Sequence, residues 1–345
     1  DVALYEEPGN QAHQEQSLYA DSGYYYLTYS SSPGLRYKPV TQTDVNGLSK
    51  MEHHNQRQVV HFSDAYYDGE RPFVTLFHPM LARGEGWQSK VALRTSSYIT
   101  ADFDVSDFVS GSSGRLETTV CGANDLLGRM ADGYNNHAVF EAYSQGKWGM
   151  LTDKYFRGYS AHEFDMLVQE SNIDNGQLKI RARADEYYNG KKVFRGRYSV
   201  SHYDLTYTAH TKILNGQTAS FEFENSASNR YIEATNFLGN QAVILDVNNQ
   251  TIINSTRSGS TLTFRINQGS NDHHVVIADT GSIKRVKPVK HKFHDIEVPT
   301  GTNFLIISNK KLKNSVSEYA SFRSSAAGGS YNVYVAYADE IFDEY

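Results

Sequence analysis

Apolar and polar residues alternate with period two through most of this sequence, and the alternation stops only near the C-terminal end. In residues 178–184, Leu178, Ile180, Ala182 and Ala184 interleave with Lys179, Arg181 and Arg183. That is the pattern of a strand with one buried and one solvated face. Similar runs predict strands at 59–62, 73–77, 98–105, 115–120, 138–142, 164–168 and 198–208. Gly, Asn, Asp and Ser clusters separate them, with Asn175-Gly176 and Asn189-Gly190 the clearest hairpin signals. Without an amphipathic helix among them, these strands predict a jelly-roll-type β-sandwich over residues 59–211.

A second set follows at closer spacing: 219–223, 230–234, 242–247, 261–266 and 274–278. Strands every 8–12 residues or so with short polar turns predict a smaller, immunoglobulin-like sandwich over residues 212–300. Residues 1–58 read as an N-terminal extension with strands at 1–5 and 23–29 and a turn at Pro33-Gly34. Residues 41–58 are polar and read as a loop or a short exposed helix. The alternation ends at Phe304, Leu305, Ile306 and Ile307, a continuous apolar run typical of a strand buried on both faces. Leu312, Val316, Tyr319 and Ala320 then recur at helical spacing, Gly328-Gly329 supplies a left-handed stop, and Val333, Val335 and Tyr337 alternate again. Residues 301–345 are therefore expected to be the first βαβ of an α/β domain that is truncated here.

Composition narrows this picture. The 345 residues include 25 Tyr and 17 Phe, enough to build a core at 39% hydrophobic content. The net charge of −6 carries no long single-sign run, which gives no support to a nucleic-acid surface. The basic stretch 283–292 reads as a solvated linker between domains. No run of about 18 apolar residues is present, so no transmembrane helix is expected. The first residue is Asp1 and not a methionine, so the sequence is expected to be a piece of a longer protein or to have lost a leader.

Candidate chemistry is sparse. Cys121, the one cysteine, sits at a strand end with His137 as its nearest sequence histidine and no motif joining them. A buried, inert thiol is the expectation. His53-His54, His273-His274 and the His291/His294/Asp295 stretch suggest metal binding. Adjacent strand residues face opposite ways, however, so solvated surface histidines are expected at all three. Asp102, Asp104, Asp107 and the Asn124-Asp125 pair offer oxygens suited to calcium, without a recognisable loop. Trp148, near Tyr143 and Tyr155, suits either a ligand-stacking platform or core packing, and core packing is favoured for it and for Trp87. No G-x-S-x-G elbow, H-E-x-x-H or phosphate loop is present. The residues themselves therefore assign no catalytic, cofactor-binding or metal site, and no cofactor.

Three stretches, taken in order, resemble one family. They are Tyr19 to Tyr29 (YADSGYYYLTY) followed by Pro33-Gly34-Leu35-Arg36; GEGW at Gly84 to Trp87; and Asn303 to Ser308 (NFLIIS) with the helix after it and DEIF at Asp339 to Phe342. Together they resemble the N-terminal half of gingipain-family cysteine peptidases, among them the PorU-like surface peptidases associated with type IX secretion. The resemblance implies a cysteine-peptidase parent, exported to the surface or exterior of a Gram-negative bacterium. The family's catalytic His and Cys lie beyond the first βαβ, so no catalytic residue carries over and the piece itself is expected to be non-catalytic. Its implied role is to support or guard the catalytic domain or to present substrate to it. Its implied partners are the remainder of that domain and a protein or glycan substrate. The alternatives are a cell-surface glycan- or protein-binding sandwich and an inhibitory prodomain.

Overall fold

The computed structural model describes residues 10–13, 17–18, 31–32, 34–71, 81–93, 97–124, 134–185, 187–188, 191–192, 196–269, 271–290, 293 and 296–344. The chain divides into a unit of residues 1–284 and a unit of residues 285–345. The expected strands at 1–5, 23–29 and 73–77 lie outside the described residues, as do Asp125, His291, His294 and Asp295.

The fold is mainly β, and the first unit contains two sandwiches. In the first, a four-stranded sheet runs Lys147–Phe156, Asn136–Ser144, Gln177–Ala184, Tyr98–Asp104. The facing layer is built on Ser113–Gly122, which pairs with Ala161–Gln169 on one side. Its other side pairs with Arg197–Val200 and His202–His210, two strands separated at Ser201. His53–His61 then pairs along the whole of His202–His210. The inward residues of these layers, including Phe103, Leu116, Phe140, Leu178, Ile180, Tyr203 and Leu205, form one core. Asn175 and Gly176 both take positive φ, 51° and 73°, in the tight connection before Gln177–Ala184, as the Asn-Gly signal requires.

The second sandwich continues the same sheet. His53–His61 touches Thr218–Phe223 at Asn55 and Glu222, and His273–Asp279, Ala242–Asp246 and Thr251–Ile253 follow in order. Its second layer is Arg230–Ala234 paired with Thr261–Ile266, flanked by Ser255–Ser258. Phe221, Ile232, Phe237, Ile244, Phe264, Val275 and Ile277 fill this core.

The segment expected to be an N-terminal extension is divided between these sandwiches. Lys38–Val40 runs parallel to Thr251–Ile253, Ser49–Lys50 runs parallel to Arg230–Ala234, and Met51 enters the second core. His53–His61 belongs to the first sandwich, so residues 41–58 supply two strands in place of the expected loop or helix. The boundary expected near residue 58 therefore falls inside a strand. In the second unit, Phe304–Ser308 and Val333–Tyr337 pair in parallel, with the helix Lys313–Ser324 between them in sequence. Gly329 supplies the left-handed turn at φ 104°. No helix among the described residues is long and apolar enough to cross a membrane.

Candidate functional site

The outward face of the first sandwich's larger layer carries a run of charge. Because Cα partners in neighbouring strands share a face, Asp165, Glu117 and Asp204 form a row of three carboxylates across three strands. Like charges directly opposite one another repel. Guanidinium groups offset that repulsion here. Arg115 Nε and Nη2 grip Asp165 at 2.8 and 2.9 Å, and Nη2 reaches Glu117 at 3.1 Å. Arg57 Nε lies 3.0 Å from both oxygens of Asp204, with Nη2 at 2.6 Å, and Arg83 pairs with Glu163 at 2.9 Å. Burial pushes the Asp204 carboxyl up, yet the His13 ring 3.8 Å away and the Arg57 hydrogen bonds outweigh it and hold the group well below the usual carboxylate range. The Arg115 hydrogen bond likewise lowers Asp165.

These side chains line a hollow of about 760 Å³ whose floor includes Thr118, Thr119, Phe164 and His202. A second hollow of about 460 Å³ shares Arg115 and Asp165 and continues past Leu167 to Tyr207 and Thr208. Residues 10–13 also line the first hollow. The Gly84 N–H donates to Asn10 O at 2.7 Å, and the His13 ring packs on His61 and His202, with centroids 4.2 and 4.6 Å away. His61 and His202 are themselves direct cross-strand partners. Burial, then the neighbouring His13, pushes the His202 imidazole down to about 3. Each of these guanidinium groups is held by a carboxylate, so the hollow presents paired charges.

The residues singled out by sequence lie elsewhere. Cys121 is buried, with Sγ 3.2 Å from Gln88 Nε2 and 3.3 Å from Gly84 O, and burial pushes its thiol up to about 12. That is the environment of an unreactive thiol. His137 is engaged apart from it, bonded to Asp153 at 2.7 Å and stacked on Tyr155 at 3.9 Å.

The histidine expectation needs correction at two positions. His54 is buried against Phe221 and Phe223 with its imidazole pushed down to about 4 by burial, and His273 is buried with Nδ1 2.7 Å from Asp246. The alternation places their neighbours His53 and His274 outward, as expected. His53–His61 is polar on both faces, so its sequence does not say which face meets the core.

Asp102 and Asp104 lie on the exposed face of their strand, whereas Asp107 is buried beneath the Tyr207 hydroxyl, which donates to it at 2.7 Å. Asn124 donates to Asn135 O at 3.2 Å. Among the described residues no group of three or more His, Cys, Asp or Glu side chains is arranged to hold a metal ion.

Neither tryptophan packs in a core. Trp148 stands on the outer face of the four-stranded sheet, where the Arg181 guanidinium lies 4.2 Å from its ring and 4.4 Å from that of Tyr98. Glu141 fixes that guanidinium at 2.6 Å, and Tyr143 meets the indole edge-on at 5.3 Å. Core packing is thus overturned for Trp148 because its strand turns it away from the interior. Trp87 projects from Gly86–Gln88, which pairs antiparallel with Ala65–Tyr67, and its indole N–H donates to Leu18 O at 3.1 Å.

Sequence reading missed the charged hollow because its residues come from six separated segments and form no motif. The only local signal was the outward parity of Arg115 with Glu117 and of Glu163 with Asp165.

No family model matches the chain, and no curated protein matches it. Among solved structures, the infectious bursal disease virus Gx strain gives a TM-score of 0.25 at 9% identity over 66% of this chain and 40% of that one. The VP2 subviral particle of the same virus gives 0.21 at 8% identity over 65% and 40%. The crystal structure of dimeric latent PorU from Porphyromonas gingivalis gives 0.56 at 12% identity over 89% of this chain. This chain spans 28% of that PorU chain, and the likeness is one of fold alone.

Proposed function

We propose that this chain is a non-catalytic region of an exported gingipain-like cysteine peptidase, supporting or guarding its catalytic domain or presenting substrate to it. One observation supports the reading: a fold likeness to dimeric latent PorU at a TM-score of 0.56 over 89% of the chain. The described residues fit a supporting role. The cysteine is buried with its thiol raised, and the charged hollow of about 760 Å³ holds paired charges without a nucleophile–base pair among its described residues. Location at the surface or exterior of a Gram-negative cell, and association with type IX secretion, belong to the same proposal.

The test is to express the complete reading frame with and without residues 1–284. The reading expects cysteine-peptidase activity, blocked by a thiol alkylator, in the complete protein and its loss on deletion. A reading frame that ends at Tyr345, or activity indifferent to the deletion, would sink it. Placement of Trp148 outside the core favours a second reading, a glycan- or peptide-binding sandwich. Glycan-array or peptide binding that survives Trp148→Ala would remove it.

A further inference from the structure

Residues 283–290 (IKRVKPVK) carry the chain from one unit to the other without helix or strand. All of them are exposed, Val286 at 85% and Val289 at 89%. Among the described residues no hydrogen bond or ion pair holds any of them. The cations of the sandwiches contrast with this. Arg57, Arg83, Arg115 and Arg181 are each held by a carboxylate, and Arg257 by backbone carbonyls. Lys284, Arg285, Lys287 and Lys290 thus present free charge on a chain that is acidic overall, with no Asp or Glu between residues 283 and 294.

The segment repeats every three residues. Ile283, Val286 and Val289 occupy one position of the repeat, and Lys284, Lys287 and Lys290 the next. Pro288 locks its own φ and keeps Lys287 out of the helical region, which favours an extended chain of three residues per turn. In that form an aliphatic edge runs beside a cationic one, with successive cations on the edge about 9 Å apart. A soluble polyanion would engage the cations and leave the aliphatic edge in water. An aromatic protein groove takes such a chain through prolines repeated along one face, and residues 283–290 contain one. A bilayer surface takes both edges, phosphate groups against the cations and the acyl boundary against the branched side chains.

We propose that residues 283–290 are an interfacial strip that binds the surface of an anionic phospholipid bilayer. The strip lies in the headgroup layer, with Lys284, Arg285, Lys287 and Lys290 on phosphates and Ile283, Val286 and Val289 toward the acyl chains. Each Lys or Arg near such a surface strengthens binding about fivefold, so the four together act on the order of several hundred-fold. Salt weakens that attraction by screening, whereas the aliphatic contribution persists. The rest of the chain carries an excess of acidic groups and is repelled, which confines attraction to this strip. The inference does not depend on a peptidase parent.

The experiment is flotation of the 345-residue chain with phosphatidylcholine vesicles, with and without phosphatidylglycerol, at low and high salt. Binding is expected on the anionic vesicles alone and should weaken as salt rises. Lys284→Gln, Arg285→Gln, Lys287→Gln and Lys290→Gln together should weaken it about a hundredfold or more. Val286→Ser with Val289→Ser keeps every charge and should weaken it on the order of tenfold. As a control, Lys38→Gln, Lys147→Gln, Lys311→Gln and Lys313→Gln remove as much charge from other exposed positions, and should weaken binding by less than about threefold. All these side chains are exposed, so each variant keeps the fold, which circular dichroism checks. Four results overturn the proposal: no binding to anionic vesicles, equal binding to neutral ones, a loss in the control as great as in the strip variant, or a serine variant that binds as tightly as the wild type. The last would mark a partner read by charge alone.

Discussion

The two units of this chain bury their apolar residues very differently. In residues 1–284 every central strand sends alternate side chains into one of two cores, and Leu116, Phe140, Ile180, Phe221 and Phe264 are fully enclosed. In residues 285–345 the helix Lys313–Ser324 contains no buried residue, Leu305 is 54% exposed and Ile307 63%. Among the described residues only Gly328 and Ala336 are buried there. A sandwich closes two sheet faces against each other and needs nothing more. Two parallel strands with the helices Lys313–Ser324 and Ala338–Glu344 leave apolar surface uncovered, because a parallel sheet is stable when both of its faces are covered. The first unit should therefore respond steeply to substitutions in its interior, and the second only weakly to substitutions on its open face.

The largest effect is expected at Phe140, which is fully buried against Phe164 and Tyr203. Phe140→Ala removes a ring from a closed core and should cost about 3–5 kcal/mol. Cys121 is a natural reporter, being the one cysteine and buried in the same sandwich. Its labelling by a thiol reagent, under conditions where reclosing outpaces the reaction, should rise on the order of a hundred- to a thousand-fold. Phe264→Ala, in the second sandwich, should act on the same transition, because His53–His61 is shared between both sandwiches. Two separate denaturation transitions within residues 1–284 would break that part of the comparison.

An intermediate effect comes from pH. The His54 imidazole titrates at about 4 in the folded chain and near 6.5 in the unfolded one. The unfolded state therefore binds the proton first as pH falls. Stability present above about pH 6.5 drains away between 6.5 and 4 and levels off below, about 3 kcal/mol in all. His54→Leu should lower stability at pH 7 through altered packing yet flatten the slope between pH 6.5 and 4. Denaturant midpoints across pH measure this, and an unchanged slope in the variant would show that His54 is hydrated in solution.

Much of this architecture is legible in the sequence wherever one face of a strand is apolar. The strands Gln177–Ala184, Arg230–Ala234 and Thr261–Ile266 follow directly from their alternation. Lys147–Phe156 does not, because it is an edge strand with an irregular register between Met150 and Thr152 and polar residues on both faces. Lys38–Val40 and Ser49–Lys50 are hidden for another reason. They are too short for periodicity, and their parallel partners lie some two hundred residues away, a pairing that local pattern does not encode. The charged hollow is hidden in the same way. Glu117 is an ordinary outward-facing charge until the register sets it between Asp165 and Asp204.

The smallest effect sharpens the comparison most, since it asks whether the open face of the second unit is open in solution. Leu305 and Ile307 project from the same side of Phe304–Ser308, two residues apart. Threonine suits a strand nearly as well as isoleucine does and removes most of the apolar surface. Leu305→Thr with Ile307→Thr should thus change stability by no more than about 0.5 kcal/mol per site. It should leave Cys121 labelling unaltered and reduce binding of a hydrophobic dye. Hydrogen exchange of 304–308 against denaturant measures the first quantity and dye fluorescence the last. A cost above about 1 kcal/mol per site, with no change in dye binding, is the signature of buried side chains. It would mean that this face is covered in solution, and the contrast between the two units would then lie in what covers them and not in how they fold.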